Sequence, residues 1–363
     1  MTSPNICKWG ILATGGIAVN FVEDLLLDSS KRNASDVQHV VAAIASSSSL
    51  EKADDFKAKT GCPSSTKTYS SYEDMVKDKD VDIVYIATPH VYHYENTLLC
   101  LENGKGVLCE KPFTINAAQL KHLITEARKR NLFLSEAMWT RHIPAVREVQ
   151  RLIHEEKVLG RITRVFSDLS VPFALDPKHR IYNPELGGGA LLDVGIYALT
   201  WQLLTLYQHP ENARAHPEFT STFTKSPLTG VDDSTVVIGN YPRLGAQGIA
   251  TTSLHAKTSS VYSVLIQGEK GDIRVPPMPM NPERFFLDLK GQESKEIEIS
   301  MNGSNGMGFE ADAAARCLRD GKKETELCTL EGDSLVVMKI MDEVRQKGDF
   351  RYPEKWEATR PGV

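Results

Sequence analysis

"WGILATGGIA", residues 9–18, joins an apolar run to a glycine turn and the start of a helical pattern. A dinucleotide-binding unit places G-x-G-x-x-G/A at such a junction, between its first strand and first helix. Here the frame is Ala13-Thr14-Gly15-Gly16-Ile17-Ala18. Gly15 stands where backbone must approach a pyrophosphate, and Ala18 where helix packs closely on strand. Ala13 replaces the tight-turn glycine, so the fingerprint is degraded. Taken alone, a plain strand–helix turn explains it equally well.

The surroundings strengthen the nucleotide reading. Apolar strand-like runs at 39–46, 81–90, 106–112 and 132–138 alternate with helix-patterned stretches at 17–28, 50–61, 91–104 and 116–131. In the first helix Ile17, Phe21 and Leu25 share a face. Residues 68–78 add a short strand and a helix whose first turn is capped by Ser71 and Asp74. Strands separated by helices predict a parallel sheet with right-handed crossovers, its ligand at the carboxyl ends of the strands. Residues 1–137 are therefore expected to form a Rossmann doubly wound domain.

Beyond a bridging helix at 143–160 the text changes. Residues 160–300 are dense in strands ("RITRVFSDLSV", "STVVIGNY", "GIATTSLHA", "VYSVLIQ"), with a hairpin signal at "GEKGD". One long apolar helix, 190–207, interrupts them, and helices at 308–320 and 332–348 end the chain. The prediction for 138–363 is an α+β domain with a large open, mainly antiparallel sheet, in an α/β protein overall. Both "STVVIGNY" and "VYSVLIQ" keep apolar residues on both parities, which a solvated sheet face disfavours. That points to a homodimer formed through this sheet, with a monomer whose terminal helices cover the second face as the alternative.

Net charge is −5 with no long basic run, which argues against a nucleic-acid partner. The six cysteines lack C-x-x-C spacing, which argues against zinc and a redox dithiol and suits reduced thiols in a cytoplasmic protein. The first ten residues lack a basic region followed by an apolar core, and no uninterrupted apolar run reaches bilayer length. Pro361-Gly362-Val363 matches no anchor signal. No membrane partner is expected.

An NAD site expects Asp or Glu at the end of the second strand, on the ribose hydroxyls. Here the strand runs into Ser46, Ser47, Ser48 and Ser49, with no carboxylate before Glu51. A carboxylate would repel a 2′-phosphate, whereas Ser46, Ser47 and Ser48 offer hydroxyls and turn amides, and Lys52 adds charge. NADP is the expected cofactor, with NAD as the alternative and an unliganded serine loop as the bland reading.

"CEKPF" places Glu110, Lys111 and Pro112 just after a buried strand, where lysine is costly unless paired or used. A salt-bridged lysine and a catalytic one fit equally. "GGGALLDVGIYALTW" puts Asp193 and Tyr197 four apart on one face of an apolar helix, either as a tied core pair or as reactive groups. Arg180 and Tyr182, just before the glycines, are candidate substrate contacts. His90 and His93 could be read as a metal pair, but two lone histidines at a helix start are more often structural, so no metal is expected. "GVDD", 230–233, reads as a strand-entry turn as well as a carboxylate pair.

With these motifs in place the chain resembles the glucose-fructose oxidoreductase / inositol dehydrogenase / rhizopine-catabolism family over nearly its full length. The shared pattern is the glycine turn, the E-K-P loop and an Asp-x-x-x-His/Tyr helix in a sheet-rich second domain. Tyr197 at the final position, with "LFLSEAMWTRHIPA" and "GVDDSTVV", is similar to the dimeric dihydrodiol dehydrogenase branch, and within it to fungal NADP-dependent D-xylose dehydrogenases. The resemblance implies oxidation of an aldose at its anomeric hydroxyl, with Tyr197 taking the hydroxyl proton, Lys111 favouring the phenolate and Asp193 orienting the pair. It implies a cofactor site that includes Thr88, Pro89, His90, His93, Glu110, Trp139 and Arg141, and pairing through the second domain's sheet. Oxidation of a trans-dihydrodiol, or NAD(P) binding without catalysis in a sugar-pathway regulator, are the competing readings.

Overall fold

The structure, a computed structural model, describes residues 4–360, so Pro361–Val363, read above as lacking an anchor signal, lie outside it. It contains two compact units.

The first unit comprises the chain up to Trp139, Met301–Leu335 and the segment from Ala358. Its strands are β1 (Asn5–Leu12), β2 (Val37–Ala45), β3 (Lys67–Tyr69), β4 (Ile83–Ile86), β5 (Gly106–Glu110) and β6 (Leu134–Ala137). They pair in the order β3-β2-β1-β4-β5-β6, all parallel. This is the doubly wound order, whose switch point lies between β1 and β4. Helices α1 (Gly16–Leu26), α2 (Leu50–Thr60), α3 (Tyr72–Met75), α4 (His93–Glu102) and α5 (Ala117–Arg130) connect them. Near-continuous apolar strands are what a sheet covered on both faces requires. β4 and β5 are buried at every residue.

The expectation that 138–363 forms a single domain is corrected here. Met301–Leu335 returns to the first unit, where Met307, Ala311, Ala314, Ala315 and Cys317 join the core of Trp9, Phe21 and Tyr85. A buried ion pair fixes this return. Arg32 binds Asp312 through two hydrogen bonds of 2.9 and 3.0 Å, and His39 Nε2 contacts the same carboxylate at 2.8 Å. Trp9 Nε1 donates to His39 Nδ1, so a neutral His39 carries its proton on Nε2.

The second unit comprises Thr140–Ser300 and Val336–Glu357. After α6 (Pro144–His154) come β7 (Ile162–Ser170) and α7 (Ile196–Gln202). Seven further strands follow: β8 (Glu218–Lys225), β9 (Asp232–Tyr241), β10 (Ala246–Ser253), β11 (Val264–Gly268), β12 (Gly271–Val275), β13 (Arg284–Leu289) and β14 (Lys295–Glu298). The sheet order is β14-β13-β12-β11-β7-β10-β9-β8, antiparallel except for β7 with β10. The remaining helices are α8 (Gly308–Arg319), in the first unit, then α9 (Leu335–Lys347) and α10 (Glu354–Glu357).

π-helical turns at Leu191–Gly195 and Leu203–Tyr207 flank α7, so 191–207 runs as one helix. Among the described residues, 184–207 is the one helical stretch long and apolar enough to cross a membrane. From 187 onward it is buried at every residue, as a core helix is. It lies on one sheet face, where the Ser167 hydroxyl donates to Ala198 O at 2.7 Å. The approach demands small residues: a Cβ at Gly248 would stand 2.2 Å from Gln202 Nε2.

The opposite face of this sheet alternates with the covered one. Phe166 sits opposite both Ile249 and Leu265, and Ile249 opposite Ile238, which is 37% exposed. The guanidinium groups of Arg164 and Arg274 cover the rings of Phe166 and Phe286 at 4.7 and 4.9 Å.

Candidate active site

The nucleotide turn keeps its shape without its first glycine. Ala13 adopts φ 85°, the left-handed backbone for which glycine is usually chosen. Its amide donates to Ala45 O at 3.1 Å, tying the end of β1 to the end of β2. Gly15 caps α1 without any side-chain cap, and Cβ atoms built on Gly15 or Gly16 would meet nothing within 4 Å. Open first-turn amides form an anion-binding helix start. Thr14 and Ile17 are partly exposed beside them.

A cavity of about 450 Å³ opens beside this turn. Ala13, Thr14 and Gly15 line one side and Ser46, Ser47 and Ser48 another, with Lys52 also in the lining. The serine run divides its work. Ser46 N donates to Tyr69 O, and Ser46 Oγ lies 2.9 Å from Ser48 Oγ, which folds the loop. Ser49 is the N-cap of α2, accepting from Lys52 N at 3.3 Å. Asp55, Phe56, Lys59 and Tyr72 complete the lining, and sequence reasoning missed them. The signal was available: 52, 55, 56 and 59 repeat at helical spacing, so they share one face of α2.

The second part of the site lies at the ends of β4 and β5. Thr88, Pro89 and His90 follow β4, and His93 opens α4. His93 is buried, with Nδ1 at 2.8 Å from Pro112 O and Nε2 at 2.9 Å from Thr88 O. Burial pushes its pKa down to about 3, so a neutral ring donates to one carbonyl at a time. His93 thus joins the two loops and is committed to backbone. Glu110 ends β5 and is buried: Oε1 accepts from the Tyr85 hydroxyl and Oε2 from Lys111 N. Burial raises its pKa to about 7 against the opposing charge of Lys111 and the Tyr85 bond. Glu136 supports the same loop, accepting Phe113 N at 3.2 Å and the Ser334 hydroxyl at 2.6 Å. Lys111, partly buried, is therefore presented on a loop held from below, and its bond to Pro112 is cis. Trp139, partly buried, packs against the first unit's core.

In the second unit Asp193 and Tyr197 are both buried on the helix 191–207. Asp193 Oδ2 accepts from Arg180 Nη2 at 3.0 Å. Arg180 is half exposed and Asp193 is not, so the arginine carries the pair towards solvent. Tyr182 is fully buried, its hydroxyl 3.4 Å from Phe173 O. Arg141 is buried within the short turn Trp139–His142. The structure thus gathers Ala13–Gly15 with Ser46–Ser48 and Lys52, Thr88 and His93 with the loop carrying Glu110 and Lys111, and Arg180 with Asp193.

Comparison with known proteins agrees with both folds. Residues 7–138 match the model of the oxidoreductase family with an NAD-binding Rossmann fold, and 146–274 match the GFO/IDH/MocA C-terminal domain. The chain is 40% identical to D-xylose 1-dehydrogenase (NADP+) of Hypocrea jecorina over 97% of its own length and 94% of that protein's. It is 34% identical to human trans-1,2-dihydrobenzene-1,2-diol dehydrogenase over 96% and 98%. A 3-ketoreductase from Actinomadura kijaniata, crystallised with NADP, has the same fold at a TM-score of 0.78 and 23% identity, covering 95% of this chain and 98% of that one. The chain belongs to the GFO/IDH/MocA oxidoreductase family and is an NAD(P)-dependent oxidoreductase.

Proposed function

We propose that the protein oxidises the anomeric hydroxyl of an aldose, D-xylose first, to the lactone with NADP. The observation that carries this reading is the 40% identity to a D-xylose 1-dehydrogenase along nearly the whole chain, above the 34% to the human dihydrodiol enzyme. The cofactor, when bound, accepts hydride from the sugar carbon. Ala13–Gly15 and the open start of α1 would hold its pyrophosphate. Ser46–Ser48, Lys52 and Lys59 would hold a 2′-phosphate, and the two lysines outweigh the one carboxylate, Asp55, in that lining.

The hydroxyl proton passes to Tyr197 acting as base. The Lys111 ammonium favours the phenolate, as an opposite charge does, and Asp193, itself held by Arg180, orients the pair. Turnover of D-xylose, D-glucose and a trans-dihydrodiol, each with NADP and NAD, tests the assignment. Highest kcat/KM for D-xylose with NADP supports it. Preference for the dihydrodiol moves the substrate to the other branch, and binding of NADPH without turnover of any of them favours a regulator.

We also propose that the protein is a homodimer whose interface is the open face of the β7–β14 sheet. The support is the half-exposed row of Phe166, Ile249, Ile238 and Leu265 across adjacent strands, together with the family resemblance.

A further inference from the structure

The helix that carries Asp193 and Tyr197 starts after Gly187-Gly188-Gly189, and one buried side chain grips that start from outside. Asp232, the first residue of β9, is fully buried. Its Oδ2 accepts from Leu191 N at 2.6 Å and from the Thr235 hydroxyl at 3.2 Å. Its Oδ1, without a hydrogen-bond partner, faces Gly189. Gly189 has φ 127°, and a Cβ there would stand 2.3 Å from that oxygen. The neighbouring backbone is held as firmly. Tyr352 donates its hydroxyl to Gly188 O at 2.6 Å, and Gly189 N donates to Ile181 O at 2.7 Å. Arg180, one residue before Ile181, reaches Asp193. The segment 180–193 is therefore a closed loop, bound to itself at Asp193 and to the sheet at Asp232.

The need for such a grip follows from the local helix. An amide in a helix's first turn has no acceptor within the helix. Leu191–Gly195 is moreover a π turn, so the usual i to i−4 ladder does not set the register there. Slipping by one residue would rotate Asp193 and Tyr197 by about 100° around the axis. A fixed acceptor on the first amide removes that freedom.

We propose that Asp232 is a positioning residue, which by binding the Leu191 amide and closing on Gly189 sets the register of the helix and hence the placement of Asp193 and Tyr197. This rests on those two residues serving the reaction proposed above. The test uses the full chain with Asp232→Ala, Asp232→Asn and Asp232→Ser. Asp232→Asn keeps an oxygen able to accept from Leu191 N, and Asp232→Ser has a side chain too short to reach it.

In folded Asp232→Ala, or in Asp232→Ser should the alanine variant not fold, kcat falls about tenfold or more, the scale of a small misplacement of reacting groups. The NADPH dissociation constant stays within about twofold, and Asp232→Asn recovers most of kcat, since the cap bond survives. Hydrogen exchange over 187–197 supplies a readout independent of turnover: protection drops in the alanine or serine variant and returns in the asparagine variant. Unchanged protection there, or wild-type kcat with only a lowered Tm, overturns the proposal. So does an asparagine variant as impaired as the serine one. A wild type that turns over no sugar or diol defeats the functional reading instead, while the exchange data still decide whether the grip exists.

Discussion

The Tyr85 hydroxyl donates to Glu110 Oε1 across 2.5 Å, while the other oxygen of that carboxylate accepts the Lys111 amide at 3.1 Å. Glu110 thus holds the backbone beneath Lys111 from a buried position. Its pKa is raised, by burial first, from the usual 4.5 to about 7. Between those values the folded chain binds more protons at this site than the unfolded chain, so stability falls as pH rises. The contribution is fully present below pH 4.5 and is lost as pH passes through 7, at about 1.4 kcal/mol per unit of displacement. Glu110→Gln should therefore gain in Tm relative to wild type as pH rises from 5 to 8, in thermal melts without cofactor. A difference in Tm that stays flat with pH contradicts this.

Ala13 holds a positive φ that an L-residue adopts at a penalty of roughly 1–2 kcal/mol. Ala13→Gly releases that strain in the fold while adding freedom to the unfolded chain. The strain relief should dominate, so Tm rises by a few degrees and NADPH binding is retained or tightened. A lower Tm in Ala13→Gly shows that the surroundings already accommodate the alanine.

Lys52 and Lys59 flank the cavity beside Ser46–Ser48. Reversing either charge, Lys52→Glu or Lys59→Glu, should raise the NADPH dissociation constant about tenfold or more, the worth of a hydrogen bond to a charged group. NADH should be little affected, and Ser47→Asp should shift preference towards NAD. Fluorescence titration measures all three. Equal losses for both nucleotides would place these side chains away from a 2′-phosphate.

Ile238, Ile249 and Phe166 lie in one row across β9, β10 and β7. Ile238→Lys puts a charge at the β9 end of this row. In light scattering at micromolar concentration the wild type should have about twice the 40.3 kDa chain mass, and the variant the mass of one chain. A wild type at the single-chain mass at all concentrations removes the dimer.

Much of this architecture is legible from local pattern. The alternation of apolar runs and helical spacing up to Ala137 carries the parallel, doubly wound sheet, because crossovers between parallel strands are one-handed, while the strand order comes from the structure. The serines after β2 point to the nucleotide cavity because turn chemistry is local. What the pattern hides is set by distant partners. Asp312 sits in a helix that reads as a terminal appendage, yet its partners Arg32 and His39 lie 280 and 273 residues away in sequence. Asp232 reads as half of a strand-entry turn until the Leu191 amide is found 41 residues before it. The π turns around α7 leave no mark in apolar spacing, which is continuous through 190–207.

Tyr197→Phe removes one oxygen from a buried helix face and leaves the ring. Turnover of D-xylose with NADP by this variant is the most direct test of the account, read beside NADPH titration and a thermal melt. The account predicts a loss of roughly two to four orders of magnitude in kcat, the usual worth of a placed acid–base group, with cofactor binding and Tm unchanged. Lys111→Met should lose a similar amount, and the double variant little more than either alone, as expected of groups that act as a unit. Turnover near the wild-type rate in folded, NADPH-binding Tyr197→Phe would contradict it.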